Sequence, residues 1–412
     1  THGGKGQAVT MAEIKGASKP DERVILCAHV QEPGSNDNAT GVASLLGLAT
    51  TLKKMVDSGA IARPERTITF LWGDEMNLAT LWLNSHPDEK AKVISALDMD
   101  MVGEDPDKTG GVMRIEKTPD PSAKYNYTLD TLPWETDSYY DETFADPDGQ
   151  FIRLPDSHTL WGAGSYEGMF QEGFFLNDLY MYAAQGVINY HDSDFRVDVC
   201  PYEGGSDHSR FLAQNVPALL TWHFTDYTYH SSVDTLNMSS AREMENVSIT
   251  TMATALMIAN ATDGNEALAL EILGTVMMAA LDRFDMEQAN TENHRIYTLA
   301  HGKDFAAALD NEKEVLQAWA DWYKEALASP AEYLLDAPSQ IFRDTQAQLL
   351  DLLEQRLTLA LACADEYLQD EVTHTGLVKI DAAAPTFSEP GNIEFWYCQN
   401  CGKLFADPQA KI

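Results

Sequence analysis

Apolar positions along this chain fall into short unbroken runs, each followed by polar residues and then by a longer segment of helical spacing. Val24-Ile25-Leu26-Cys27-Ala28 leads into His29, and residues 42–55 are Ala/Leu-rich with a helical period. Arg66-Thr67-Ile68-Thr69-Phe70-Leu71-Trp72 is followed by Gly73-Asp74-Glu75, after which 78–84 resumes the helical pattern. Residues 93–97 lead into Asp98-Met99-Asp100, and Val216-Pro217-Ala218-Leu219-Leu220-Thr221-Trp222 precedes Tyr229-His230. Unbroken apolar runs of this length read as strands buried on both faces, the condition of a parallel sheet. Their alternation with helical segments predicts an α/β domain over 1–262, a mixed, mostly parallel sheet flanked by helices.

The pattern changes twice. Residues 104–203 interrupt the alternation with a stretch rich in Pro, Asp, Tyr and Trp, and long insertions between strands tend to form lids or specificity walls. Arg153, His158, His191 and Arg196 lie in it; a structural role comes first for each, with a substrate contact as the alternative. From 263 to 370 the period is helical, with runs over 267–286, 312–328 and 346–368 and breaks at Ser329-Pro330 and Ala337-Pro338. Leu349, Leu350, Leu353, Leu357 and Leu361 fall at three- and four-residue steps, the stripe of a packed helix. Residues 371–412 read as a small β element that carries Cys398-Gln399-Asn400-Cys401.

The residues at the strand ends add chemistry. His29, Asp37, Glu75, Asp100 and His230 are metal-ligand types, and carboxylates with imidazoles can hold two divalent ions that activate water. Each has a plainer reading. His29 alone is a strand-end histidine, Asp37 or Thr40 could simply cap the following helix, and Asp74-Glu75 could be a solvated turn. Asp98 and Asp100 alternate onto one strand face, where two carboxylates are costly without a cation. The set as a whole reads as a two-metal hydrolytic site.

Composition narrows the partners. With 28 basic against 64 acidic residues the formal charge is −36 and the pI near 4.4, a surface that repels nucleic acid and anionic membranes. No apolar run reaches membrane-spanning length. Five cysteines, an odd number, argue against a fully paired disulfide framework. Cys398 and Cys401 could form half of a zinc knuckle, completed by His374, another chain or residues beyond Ile412, or a local disulfide, or stay free thiols. The compartment stays open, with a lean to a secreted or periplasmic setting, and a homo-oligomer is compatible with everything above.

Four segments in order resemble those of the M28 metallopeptidases, the co-catalytic zinc aminopeptidases and their relatives. They are Asn36-Asp37-Asn38-Ala39-Thr40-Gly41, Leu97-Asp98-Met99-Asp100-Met101-Val102-Gly103, Gly205-Ser206-Asp207-His208, and Tyr229-His230 with Asp234-Thr235. The resemblance implies the zinc-dependent exopeptidase, phosphorylase/hydrolase-like fold and two zinc ions. It makes Asp37 the bridging ligand, gives His29 and Asp100 to one ion, and gives His230 with a glutamate to the other. It also places Asp207, His208 and Tyr229 against substrate or behind the ligands.

Two positions depart from the family pattern. Gln31 stands where many members have an aspartate that buttresses the first histidine. A gap-free alignment makes Glu75 the general base and puts Met76 at a ligand position, where a thioether is a poor zinc donor. Shifting by one makes Asp74 the base and Glu75 the ligand, the reading preferred here. The expected activity is an aminopeptidase that hydrolyses N-terminal residues from peptides with a metal-activated water. The alternatives are a glutaminyl-cyclase-like acyl transfer with one zinc, or an inactive peptide-binding member of the fold.

Overall fold

The apolar runs become the strands of one seven-stranded sheet. In chain order these are β1 (Thr10–Ile14), β2 (Lys19–His29), β3 (Arg66–Gly73), β4 (Val93–Met99), β5 (Val112–Glu116), β6 (Val197–Cys200) and β7 (Ala218–Phe224). Their spatial order is β1-β3-β2-β4-β7-β5-β6. β3, β2, β4 and β7 run parallel, as do β5 and β6, while β1 and β5 pair antiparallel to β3 and β7. β4 and β7 are buried at every position, which is why their sequences do not alternate.

A computed structural model of the chain describes residues 8–125, 153–159, 161–162, 164–300, 305–367, 377–382, 392–398 and 404–406. Two compact units divide it. The first comprises 1–139, 155–279 and 322–350, and the second comprises 140–154, 280–321 and 351–412. The helical region predicted as one domain over 263–370 is thus shared between them. Residues 126–152 of the predicted insertion, together with His374 and Cys401, lie outside the described residues.

In the first unit the sheet is flanked by α1 (Ala39–Ser58), α2 (Leu78–Ser85), α6 (Leu176–Tyr190), α7 (His208–Leu212) and α8 (Ala241–Asn260), with single turns α3 (Pro87–Lys90), α4 (Pro106–Thr109) and α5 (Pro121–Tyr125). The chain passes from β2 through α1 to β3 on one side, then from β3 through α2 to β4 on the other. Right-handed crossovers in opposite directions put α1 and α2 on opposite faces. The strand order therefore reverses around β2, the place where open α/β sheets bind ligands.

Three long helices follow: α9 (Glu266–Ala300), α10 (Phe305–Leu334) and α11 (Gln340–Glu366). Among the described residues no helix is long and apolar enough to cross a membrane. The predicted break at Pro330 is absent, because α10 runs through it. Proline removes one helical N–H and leaves the carbonyl four residues earlier without its donor. Ser329 Oγ donates to that carbonyl, Ala326 O, at 2.8 Å, which spares the helix the break. The predicted break near Pro338 is where α10 gives way to α11.

The second unit holds parts of these helices and an antiparallel sheet of β8 (Leu377–Ile380), β9 (Phe395–Cys398) and β10 (Leu404–Phe405). Its interior carries an ion-pair cluster. Arg153 Nη1 donates to Glu287 Oε2 at 2.6 Å and its other nitrogen to Glu312, which also takes His294 Nδ1 at 2.6 Å. Burial raises the Glu312 carboxyl, but His294 and Arg153 outweigh it and hold the group below its ordinary value.

Candidate active site

Four parallel strands, β3, β2, β4 and β7, turn their carboxyl ends to one edge of the sheet. His29 is the last residue of β2 and is fully buried. The loop that follows is stitched down from two sides. The Asp234 carboxylate accepts from the backbone N–H of Asn36 at 2.8 Å and of Asp37 at 3.1 Å. Asn38 caps α1 by accepting from Gly41 N–H, accepts from Met101 N–H, and donates to Met99 O, all at 3.0 Å. The cap is therefore Asn38, which leaves the Asp37 carboxylate to the cleft. A Cβ on Gly41 would lie 2.2 Å from Met99 O, so only glycine lets α1 approach β4 this closely.

The ligand-type side chains converge here. His29 Nε2 lies 3.0 Å from Asp100 Oδ1, 3.5 Å from Asp37 Oδ1 and 4.0 Å from Glu75 Oε1. The other Asp37 oxygen, Oδ2, lies 3.2 Å from His230 Nε2, which is 3.6 Å from Glu32 Oε2. Asp37 thus offers one oxygen to each histidine. Donor atoms of His29, Asp37 and Asp100 fall within 4.8 Å of one another, and so do those of Glu32, Asp37 and His230, and of His29, Glu32 and Glu75. The glutamate beside His230 is Glu32, a residue the sequence reading did not single out. It sits in a mid-loop position before Pro33-Gly34, where an acid reads as solvated; the weight given to strand ends hid it.

The donor set fits zinc on grounds internal to the site. Both ring nitrogens of His29, Asp37 Oδ1 and Asp100 Oδ1 are buried and make no hydrogen bond. Buried imidazole and carboxylate atoms in that state are costly unless a cation joins them, and nitrogen with oxygen donors is a zinc ligand set. The same crowding shows in the protonation energies. Burial and then the Asp100 charge push the Asp37 carboxyl up to about 10, and the same two causes push Glu75 up to about 7. Burial pulls the His29 imidazole down, but Asp100 more than reverses this and raises it to about 11.

Glu75 is held by Gln31. The Gln31 amide donates to Glu75 Oε2 at 3.1 Å and accepts from the Glu75 backbone N–H at 2.9 Å. The residue that departs from the family's usual aspartate therefore latches the neighbouring acid. Asp74 faces elsewhere: its carboxylate accepts from Asn77 Nδ2 at 3.0 Å, and its carbonyl takes the N–H groups of Asn77 and Leu78 at the start of α2. Met76, Met101 and His230 all have positive φ, at 61°, 52° and 51°. Such backbone strain gathers at functional sites, and here it turns the chain just past β3 and β4 and, in the loop after β7, at His230.

Asp207 and His208 lie behind the cleft and are fully buried. Asp98 Oδ2 accepts from His208 N–H at 2.9 Å, and His208 Nε2 pairs with Glu116 Oε1 at 2.7 Å. Burial, then the Asp98 charge, holds Asp207 far above the ordinary carboxyl value. The side chain of this turn that reaches the cleft is Ser206, beside Gly204 and Gly205, and it donates to Asp100 Oδ2 at 3.0 Å. Tyr229 stacks on His230 with ring centroids 3.8 Å apart and meets Trp161 edge-on at 6.0 Å. These aromatics rest on a buried cluster of Met101, Leu220, Trp222 and Phe224. The cleft thus has an acidic side and an apolar side. His158, His191 and Arg196 do not line it; His158 pairs with Glu203 at 3.2 Å.

Residues 10–156 match the model of Peptidase family M28. The M28 match takes in the segments that carry His29, Asp37, Glu75 and Asp100, so the resemblance implied by the motifs stands. No curated protein matches the chain. Among solved structures it is similar to an aminopeptidase from Aneurinibacillus sp. strain AM-1, at 22% identity over 61% of this chain and 47% of that one, with a TM-score of 0.39. It is similar to BSAP, a zinc aminopeptidase from Bacillus subtilis, at 15% identity, 61% and 50% coverage and a TM-score of 0.41. A glutaminyl cyclase from an Acidobacteriales bacterium gives 14% identity, 62% and 74% coverage and 0.37. The chain spans about half the length of the two aminopeptidases.

Proposed function

We propose that this M28-like chain is a zinc-dependent exopeptidase, and within that class an aminopeptidase. The observation that carries the reading is Asp37, whose two oxygens face His29 and His230 at 3.5 and 3.2 Å. One carboxylate shared by two donor triads is the arrangement that two ions about 3.5–4 Å apart require. His29 and Asp100 complete the inner triad and His230 the outer one. Bound zinc would polarise the scissile carbonyl and acidify a water.

The chain's own residues supply the rest. Glu75, fixed by Gln31 through one oxygen, presents its other oxygen to the cleft and acts as general base, passing a proton to the leaving amine. The acidic side of the cleft attracts a free α-ammonium group. Tyr229, whose phenol is held protonated by burial and by the charge of Asp37, is a donor for an oxyanion. The apolar side, with Trp161 and Trp222, favours substrates whose first side chain is apolar.

The test is hydrolysis of leucyl-p-nitroanilide against its N-acetylated analogue by zinc-loaded protein. Release from the free amine alone supports the aminopeptidase reading. Equal release from both, or none from either, sinks it. Cyclisation of an N-terminal glutamine peptide without hydrolysis would move the assignment to acyl transfer.

A further inference from the structure

The two departures from the family pattern, Gln31 and Met76, flank a question the fold answers in its own way: what completes the outer triad. Resting on the two-ion reading above, we propose that Glu32 is the third protein ligand of the outer ion, in place of the carboxylate that Met76 does not supply.

Three observations converge. Glu32 Oε2 is 3.6 Å from His230 Nε2, and Glu32, Asp37 and His230 bring one donor atom each within 4.8 Å of one another. Glu75, the ligand expected from the shifted alignment, groups with His29 and Glu32 rather than with His230, and Gln31 already holds one of its oxygens at 3.1 Å. Met76 does not line the cleft, and its thioether would be a soft donor beside carboxylates.

The loop after β2 explains how the relocation works. Gln31 is anchored to both the backbone and the side chain of Glu75. Its neighbour Glu32 then lies between that anchor and the stretch held by Asp234, where a Cβ on Gly34 would sit 2.1 Å from Asp234 Oδ2. A loop pinned at both ends, to Glu75 after β3 and to Asp234, presents Glu32 to His230. One short segment, residues 31–37, therefore fixes the base through Gln31, completes the outer position through Glu32 and bridges through Asp37. The base and the ligand that adjacent positions after β3 supply in the family pattern are here divided between two loops.

The experiment is zinc content per chain, measured by elemental analysis after equilibration in a zinc buffer, for the parent, Glu32→Gln and Glu75→Gln. The proposal expects two zinc ions in the parent, two in Glu75→Gln, and one in Glu32→Gln. At higher free zinc the second ion of Glu32→Gln should return with affinity lowered about tenfold or more, the scale of losses when metal support is cut. Zinc-free Glu32→Gln should unfold no earlier than the zinc-free parent, since the half-buried Glu32 side chain serves no core and its charge crowds Asp37. If Glu32→Gln binds both ions as tightly as the parent, the assignment falls. If instead Glu75→Gln loses an ion and Glu32→Gln does not, Glu75 is the ligand. A parent that binds one ion, removed by His29→Ala and indifferent to Glu32→Gln, overturns the assignment and leaves a one-metal site. A parent that binds none overturns the two-ion reading itself.

Discussion

The two donor triads share Asp37 but are built from different material. In the inner triad the side chains of His29, Asp37 and Asp100 are 1%, 6% and 11% exposed, and two of the three sit at or just past the ends of β2 and β4. In the outer triad Glu32 and His230 are 24% and 54% exposed, and both come from loops. The difference is one of dielectric and of backbone constraint. Charges gathered at buried strand ends interact strongly and cannot relax. Loop donors open to water are screened and can exchange partners. The inner position is the one suited to a retained ion, and the outer is suited to an ion that meets substrate and solvent.

The most severe way to break the comparison is to remove what the triads share. Asp37→Asn should cut kcat/KM by about 10³-fold or more, about 4 kcal/mol of transition-state stabilisation, and leave less than one tightly held zinc. Paired rate and zinc assays check it. A variant with normal zinc content and normal rate would mean that Asp37 bridges nothing. A milder probe is a graded chelator titration of the zinc-loaded protein. Unequal burial predicts two phases, the first equivalent leaving at about tenfold lower chelator activity than the second. His230→Ala should abolish the first phase and His29→Ala the second. A single phase releasing both ions would make the triads one cooperative site.

How much of this was legible beforehand follows the same division. Strand ends were readable because a buried parallel strand writes itself as an unbroken apolar run, so the next polar residue marks the sheet edge. His29 follows from that rule directly, and Glu75 and Asp100 lie one and two residues beyond the positions it marks, Asp74 and Asp98. Glu32 does not, because an acid in a Pro- and Gly-containing loop has no periodicity to mark its direction, and only the Gln31 and Asp234 contacts fix it. Asp74 and Glu75 differ by one position in sequence and are separated only by the turn that gives Asp74 to Asn77. Pro330 misled for a local reason, since Ser329 repairs the carbonyl that proline strands.

What stands behind each triad supplies the smallest test. The outer loop hangs on two backbone N–H groups that donate to Asp234. The inner triad is backed by His208, whose buried ring faces Glu116 and Asp98. Burial pulls this imidazole down, but Glu116 and Asp98 outweigh it and raise it from 6.5 to about 9. A folded-state value above the unfolded one means the pair's contribution is complete below about pH 6.5 and gone above about pH 9. Between those limits it should decline by about 1 kcal/mol per pH unit as the unfolded chain alone sheds the proton. Urea midpoints of metal-free protein at pH 6.5, 7.5 and 8.5 should therefore fall more steeply for the parent than for His208→Gln. Metal-free protein is the right sample because zinc binding carries its own pH dependence. Parallel slopes in the two proteins would show that a charged His208 does not support the inner triad, and the contrast between the triads would reduce to exposure alone.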